Sequence, residues 1–159
     1  MSKIRVAVVG LGMGRAHAGD YIKNPDAELA ALVDLDKERL KESGKEFGVD
    51  ACFTDFSRML EKVKPDAVSI AVPNKFHKAI TIEALQAGCH VLCEKPMALT
   101  VAESEEMAKS AMKSGKNLMI NFSYRFSEMS YSLKEQVDAG YLGDIYFGRT
   151  IWHRRRGFP

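Results

Sequence analysis

A chain of 159 residues has room for one core of ordinary domain size and none for two large ones. Hydrophobic residues at 46% and charged residues at 28% match globular composition and exclude a disordered chain. The net charge of +2 excludes a broadly basic surface for nucleic acid, because four of the 23 basic residues lie after Gly148, leaving 19 against 21 acids before it.

From the N-terminus, the apolar stretch Lys3 to Val9 meets glycine too soon to be a signal peptide. No run nears the ~20 residues of a membrane span, so no membrane partner is expected and the expected compartment is the cytoplasm. Apolar runs are nearly continuous rather than alternating, as strands covered on both faces require. They are Ile4 to Val9, Leu29 to Val33, a weaker one at Ala51 to Phe53, Ala67 to Val72, His90 to Glu94, Asn117 to Phe122, and Ile145 to Ile151. Between them, Leu40 and Phe47 mark one face of a helix over Lys37 to Phe47, and Phe56, Met59, Leu60 and Val63 carry the i, i+3, i+4, i+7 spacing of another. Thr100 with Glu103 reads as a capping box, Gly88, Gly115 and Gly140 as helix stops, and a helix is expected from about Ser127 to Ala139. Strand and helix alternating at this pace give right-handed βαβ units, hence an α/β fold with a doubly wound parallel sheet of Rossmann type. Cys52, Cys89 and Cys93 form no zinc pattern, so no metal is expected and the thiols read as reduced core groups.

The first strand runs into Gly10-Leu11-Gly12-Met13-Gly14. Glycine there permits a tight turn and lets a diphosphate approach the backbone, while the following helix offers free N–H groups and a positive dipole end. The third glycine arrives one residue early, and Arg15 holds its usual place. Asp34 ends the second strand about 20 residues later, where a carboxylate can accept both hydroxyls of an adenosine ribose. Neither Leu35 nor Asp36 supplies a cation for a 2′-phosphate, which favours NAD over NADP; a helix N-cap suits Asp36 better than Asp34. Pro73-Asn74-Lys75-Phe76-His77 and Glu94-Lys95-Pro96 follow the fourth and fifth strands, at the edge where open α/β sheets bind ligands. His17, His90 and His153 show no useful partner spacing, and His77 alone reads equally as a helix-start residue.

The segments GLGMGRAH (Gly10 to His17), VSIAVPNKFH (Val68 to His77), CEKPMA (Cys93 to Ala98), NFSYRF (Asn121 to Phe126) and GYLGDI (Gly140 to Ile145) resemble the N-terminal half of the Gfo/Idh/MocA oxidoreductases. The resemblance implies a nicotinamide-dependent dehydrogenase acting on the CH–OH group of a sugar or cyclic polyol. It implies Lys95 as the catalytic residue beside the nicotinamide, Glu94 at the nicotinamide ribose, and Asn121 closing the pocket. It also implies a cofactor surface from Gly10, Gly12, Met13, Gly14, Asp34, Leu35, Val72, Pro73, Asn74 and His77. Three parts are expected: a dinucleotide-binding domain over 1–123, a connecting helix and turn over 124–144, and over 145–159 the first strand of a missing α+β substrate domain. In that family the second domain supplies an aspartate and a histidine, so these residues alone are expected to catalyse poorly. The expected partner is a small sugar or polyol, with homo-oligomers possible within the family. The alternative is a stand-alone, non-catalytic dinucleotide-binding or interaction module; an S-adenosylmethionine enzyme is disfavoured by EKP and the PNxxH loop.

Overall fold

The computed structural model describes residues 2–151, 153 and 155. Six parallel strands, β1 (Ile4–Val9), β2 (Ala27–Val33), β3 (Cys52–Phe53), β4 (Ala67–Ile70), β5 (His90–Glu94) and β6 (Leu118–Asn121), form one sheet in the order β3-β2-β1-β4-β5-β6. The chain leaves β1 for β2 on one side and later returns to β4 on the other. Their carboxyl ends therefore splay apart beside β1, the switch point at which such sheets hold ligands. Val9 at the end of β1 pairs with both Val33 and Ile70, and farther along the same edge Glu94 pairs with Asn121.

Both faces of the sheet are covered, which is why the strands read as unbroken apolar runs. On one face Val8, Leu29 and Leu32 pack with Leu11, Ala18 and Leu40, residues around α1 (Gly14–Lys23) and α2 (Lys37–Phe47). On the other, Val9, Val33, Ile70 and Cys93 pack with Met59 of α3 (Phe56–Val63), Leu85 of α4 (His77–Gln86) and Met107 of α5 (Val101–Ser114). The helix boundaries follow from capping. Asp36 accepts from the Glu38 and Arg39 N–H groups at 3.1 Å each, Asp55 from Arg58 N–H at 2.9 Å, and Thr100 from Glu103 N–H at 3.2 Å. Glu103 reaches back to the N–H of Leu99, and α2 and α5 end on Gly48 and Gly115 at positive φ.

The molecule divides into two compact units, residues 1–121 and 122–159. In the second, Ser127 caps α6 (Glu128–Asp138), and Phe126 meets Tyr131 edge-on at 6.4 Å between ring centroids. The expected strand over Ile145 to Ile151 does not form: these residues carry no strand pairing and are exposed. An apolar, β-branched run supplies strand propensity, but a strand also needs a neighbour for its backbone groups, and none among the described residues pairs with it. The arginine-rich stretch Trp152 to Pro159, expected to lead into a second domain, lies largely outside the described residues. No helix among the described residues is long and apolar enough to cross a membrane.

Candidate functional site

The turn after β1 is built around its glycines, each for a different reason. Gly10 has φ +86°, and a Cβ on it would stand 2.6 Å from the Ala71 carbonyl oxygen in the turn after β4. Gly12 would place a Cβ in open space, leaving bare backbone facing the cleft. Gly14, although one residue early, sits where a Cβ would press to 2.9 Å from Val8, so it performs the close helix–strand packing of a third glycine. Arg15 is exposed and bonds Glu46 instead. No side chain caps α1 and no acid occupies its first turn, so its positive end stays available to an anion.

Asp34 closes the opposite wall and is 8% exposed. Its Oδ2 accepts the Leu11 N–H at 2.6 Å, tying the glycine turn to β2, and its Oδ1 accepts the Asp36 N–H at 2.8 Å. A cation is present after all: Arg39, in the first turn of α2, lies 3.2 Å from Asp34 Oδ2 and 3.3 Å from Asp36 Oδ2. It stands five residues after Asp34, beyond the adjacent Leu35 and Asp36, and helix geometry returns it to the strand end. One guanidinium thus serves two carboxylates, leaving a local excess of negative charge.

A cleft of ≈ 670 Å³, within the range of small-molecule sites, joins these parts. Of the expected residues, Gly10, Gly12, Met13, Asp34, Leu35, Val72, Pro73 and Asn74 line it. Phe56, Phe76, Ile80, Thr54 and Arg39 also line it: Phe76 belongs to the Pro73-to-His77 stretch already placed at the ligand edge, Phe56 carried only helical apolar spacing, and Ile80, Thr54 and Arg39 carried no signal. The cradle that a Cβ would fill, the uncapped helix start and the carboxylate opposite fit a dinucleotide.

His77 does not reach the cleft. It is 0% exposed, with Nδ1 2.8 Å from the Pro96 carbonyl oxygen and Nε2 2.9 Å from that of Val72. It ties the turn after β4 to the turn after β5, so any influence on a ligand passes through those loops. Lys95 is exposed at the end of β5, and its bond to Pro96 is cis.

Beside it lies a polar cluster. Glu94, 7% exposed, accepts Asn121 Nδ2–H at Oε1 (2.6 Å) and the Lys95 N–H at Oε2 (3.2 Å). His17, which had no visible partner in the sequence, reaches the same Oε1 through Nε2 at 3.0 Å and Ser69 Oγ through Nδ1 at 2.7 Å. Ser69 also bonds Tyr21, whose phenol is pushed up by burial, with the Ser69 bond offsetting part of the rise. Partners 52 and 77 residues distant leave no local signature; only the carboxyl-edge geometry of α1, β4 and β5 brings them together. The thiols are free; burial pushes Cys93 up to about 11 and raises Cys52 and Cys89 as well, so they stay protonated and unreactive near neutrality.

The description "Oxidoreductase family, NAD-binding Rossmann fold" matches residues 4–122. The chain belongs to the Gfo/Idh/MocA family. Its relatives include D-glucoside 3-dehydrogenase of Escherichia coli (strain K12), 41% identical over 99% of this chain and 46% of that protein. Myo-inositol 2-dehydrogenase of Thermotoga maritima is 33% identical over 88% of this chain and 42% of its own length. The crystal structure of scyllo-inositol dehydrogenase from Lactobacillus casei with bound NAD(H) and scyllo-inositol superposes with a TM-score of 0.86 at 33% identity, covering 90% of this chain and 43% of that one. The chain therefore spans less than half the length of these relatives.

Proposed function

We propose that these residues form the cofactor-binding half of an NAD-dependent dehydrogenase that oxidises a CH–OH group of a sugar or cyclic polyol. The carrying observation is convergence at one sheet edge: the glycine turn and Asp34 flank β1, while Glu94 ends β5 of the same sheet and Lys95 follows it. The dehydrogenases above, named for glucoside and inositol, support the substrate class.

In this reading Asp34 accepts the adenosine ribose hydroxyls, the start of α1 and the bare backbone at Gly12 receive the diphosphate, and Val72, Pro73 and Asn74 line the path between. Glu94 accepts from the nicotinamide-side ribose. The bound nicotinamide supplies the hydride acceptor. Lys95 donates a hydrogen bond to the substrate oxygen and stabilises the negative charge there as the C–H bond breaks and the hydroxyl proton passes to a general base, which belongs to the substrate domain in this reading. The two carboxylates around Arg39 would repel a 2′-phosphate, which favours NAD over NADP. Residues from 124 onward would lead to a substrate domain, the compartment would be the cytoplasm, and assembly into homo-oligomers fits this reading.

The test is NADH formation by the full-length enzyme over a panel of hexosides and inositols. Lys95→Met should lower kcat at least about a hundredfold while NADH affinity stays within about twofold. Turnover that survives Lys95→Met would contradict the assignment of Lys95.

A further inference from the structure

The buried cluster behind Glu94 has a defined direction. A carboxylate can only accept, so the His17 nitrogen 3.0 Å from Glu94 Oε1 carries a proton, and the neutral imidazole is then the Nε2–H tautomer. Nδ1 then accepts from Ser69 O–H at 2.7 Å. Ser69 is fully buried, and the His17 and Glu94 side chains are only 12% and 9% exposed, so water competes little for these bonds. Two donors, His17 and Asn121, converge on Oε1, whereas Oε2 holds only the longer Lys95 N–H contact and keeps a lone pair for a further donor.

We propose that His17 is a positioning residue: its Nε2–H, with the ring braced by Ser69, holds Oε1 of Glu94 so that Oε2 receives a hydroxyl of the nicotinamide-side ribose. This rests on the dinucleotide reading and deepens it. The residue acts through Glu94 and touches neither the adenosine half nor the diphosphate.

The experiment compares NADH with ADP, which has the adenosine and both phosphates but lacks the second ribose. Calorimetry with His17→Leu should show NADH bound about tenfold more weakly and ADP unchanged within about twofold. His17→Gln, whose amide nitrogen can stand near the Nε2 position, should recover most of the NADH affinity. Equal weakening of both ligands, no weakening of NADH, or a folded His17→Gln without recovery would each overturn the proposal. Wild-type protein that binds neither ligand would overturn the dinucleotide reading, and the proposal with it. Should His17→Leu fail to fold, nitrogen NMR of the wild-type histidine ring decides the matter: the Nε2–H tautomer supports the proposal, and a neutral Nδ1–H tautomer overturns it.

Discussion

Residues at this site earn their places by what they leave open as much as by what they touch. Asp34 already accepts two backbone N–H groups and the Arg39 guanidinium, so a ribose diol must compete with or displace the arginine. Asp34→Ala should weaken NADH about tenfold to a hundredfold, because charge-assisted bonds are lost, and should narrow the preference for NADH over NADPH. Parallel titrations with the two cofactors check it; an unchanged ratio would remove Asp34 from the ribose. Gly10→Ala should destabilise the fold by about 2–4 kcal/mol, combining left-handed backbone with a collision against Ala71, read as a lower urea midpoint. The glycines and Asp34 were legible because their chemistry is local. Arg39 and His17 were not, since the first acts one helical turn beyond the strand end and the second meets partners on other strands.

The helices hold their ends largely by local bonds, so capping changes should alter stability without altering binding. Thr100→Ala removes the acceptor for the Glu103 N–H at the start of α5, away from the cleft, and should cost about 1 kcal/mol with NADH affinity unchanged. On β5, Cys93 makes a second prediction. Its folded pKa, about 11, lies above its ordinary value of 9.0, so the folded state holds the proton more tightly than the unfolded chain. The resulting stability is fully present below pH 9 and lost as pH rises through about 11. Wild type should therefore lose roughly 2–3 kcal/mol relative to Cys93→Ala across that window in urea titrations. Elements with capping signals and continuous apolar runs were readable in the sequence, and Ile4–Val9, Lys37–Phe47 and His90–Glu94 fall where the pattern places them. The run Ile145 to Ile151 shows the limit of that logic: propensity is local, but a strand is a relation between two segments.

At the scale of the whole molecule, one sheet edge gathers residues from Gly10 to Asn121, and no stretch of the sequence displays that edge directly. The order β3-β2-β1-β4-β5-β6 creates it by placing the chain reversal at β1, with Asp34 on one side and Glu94, Lys95 and Asn121 on the other. The alternation of strand and helix announced a doubly wound sheet, but the polar chain from Ser69 through His17 to Glu94 exists only once α1, β4 and β5 come together. The central claim is that this edge binds a nicotinamide dinucleotide. Its most direct test is titration of NADH fluorescence with wild type and Asp34→Ala. The account predicts saturable enhancement by wild type and a curve shifted at least about tenfold by the variant; no saturable response, or identical curves, would contradict it.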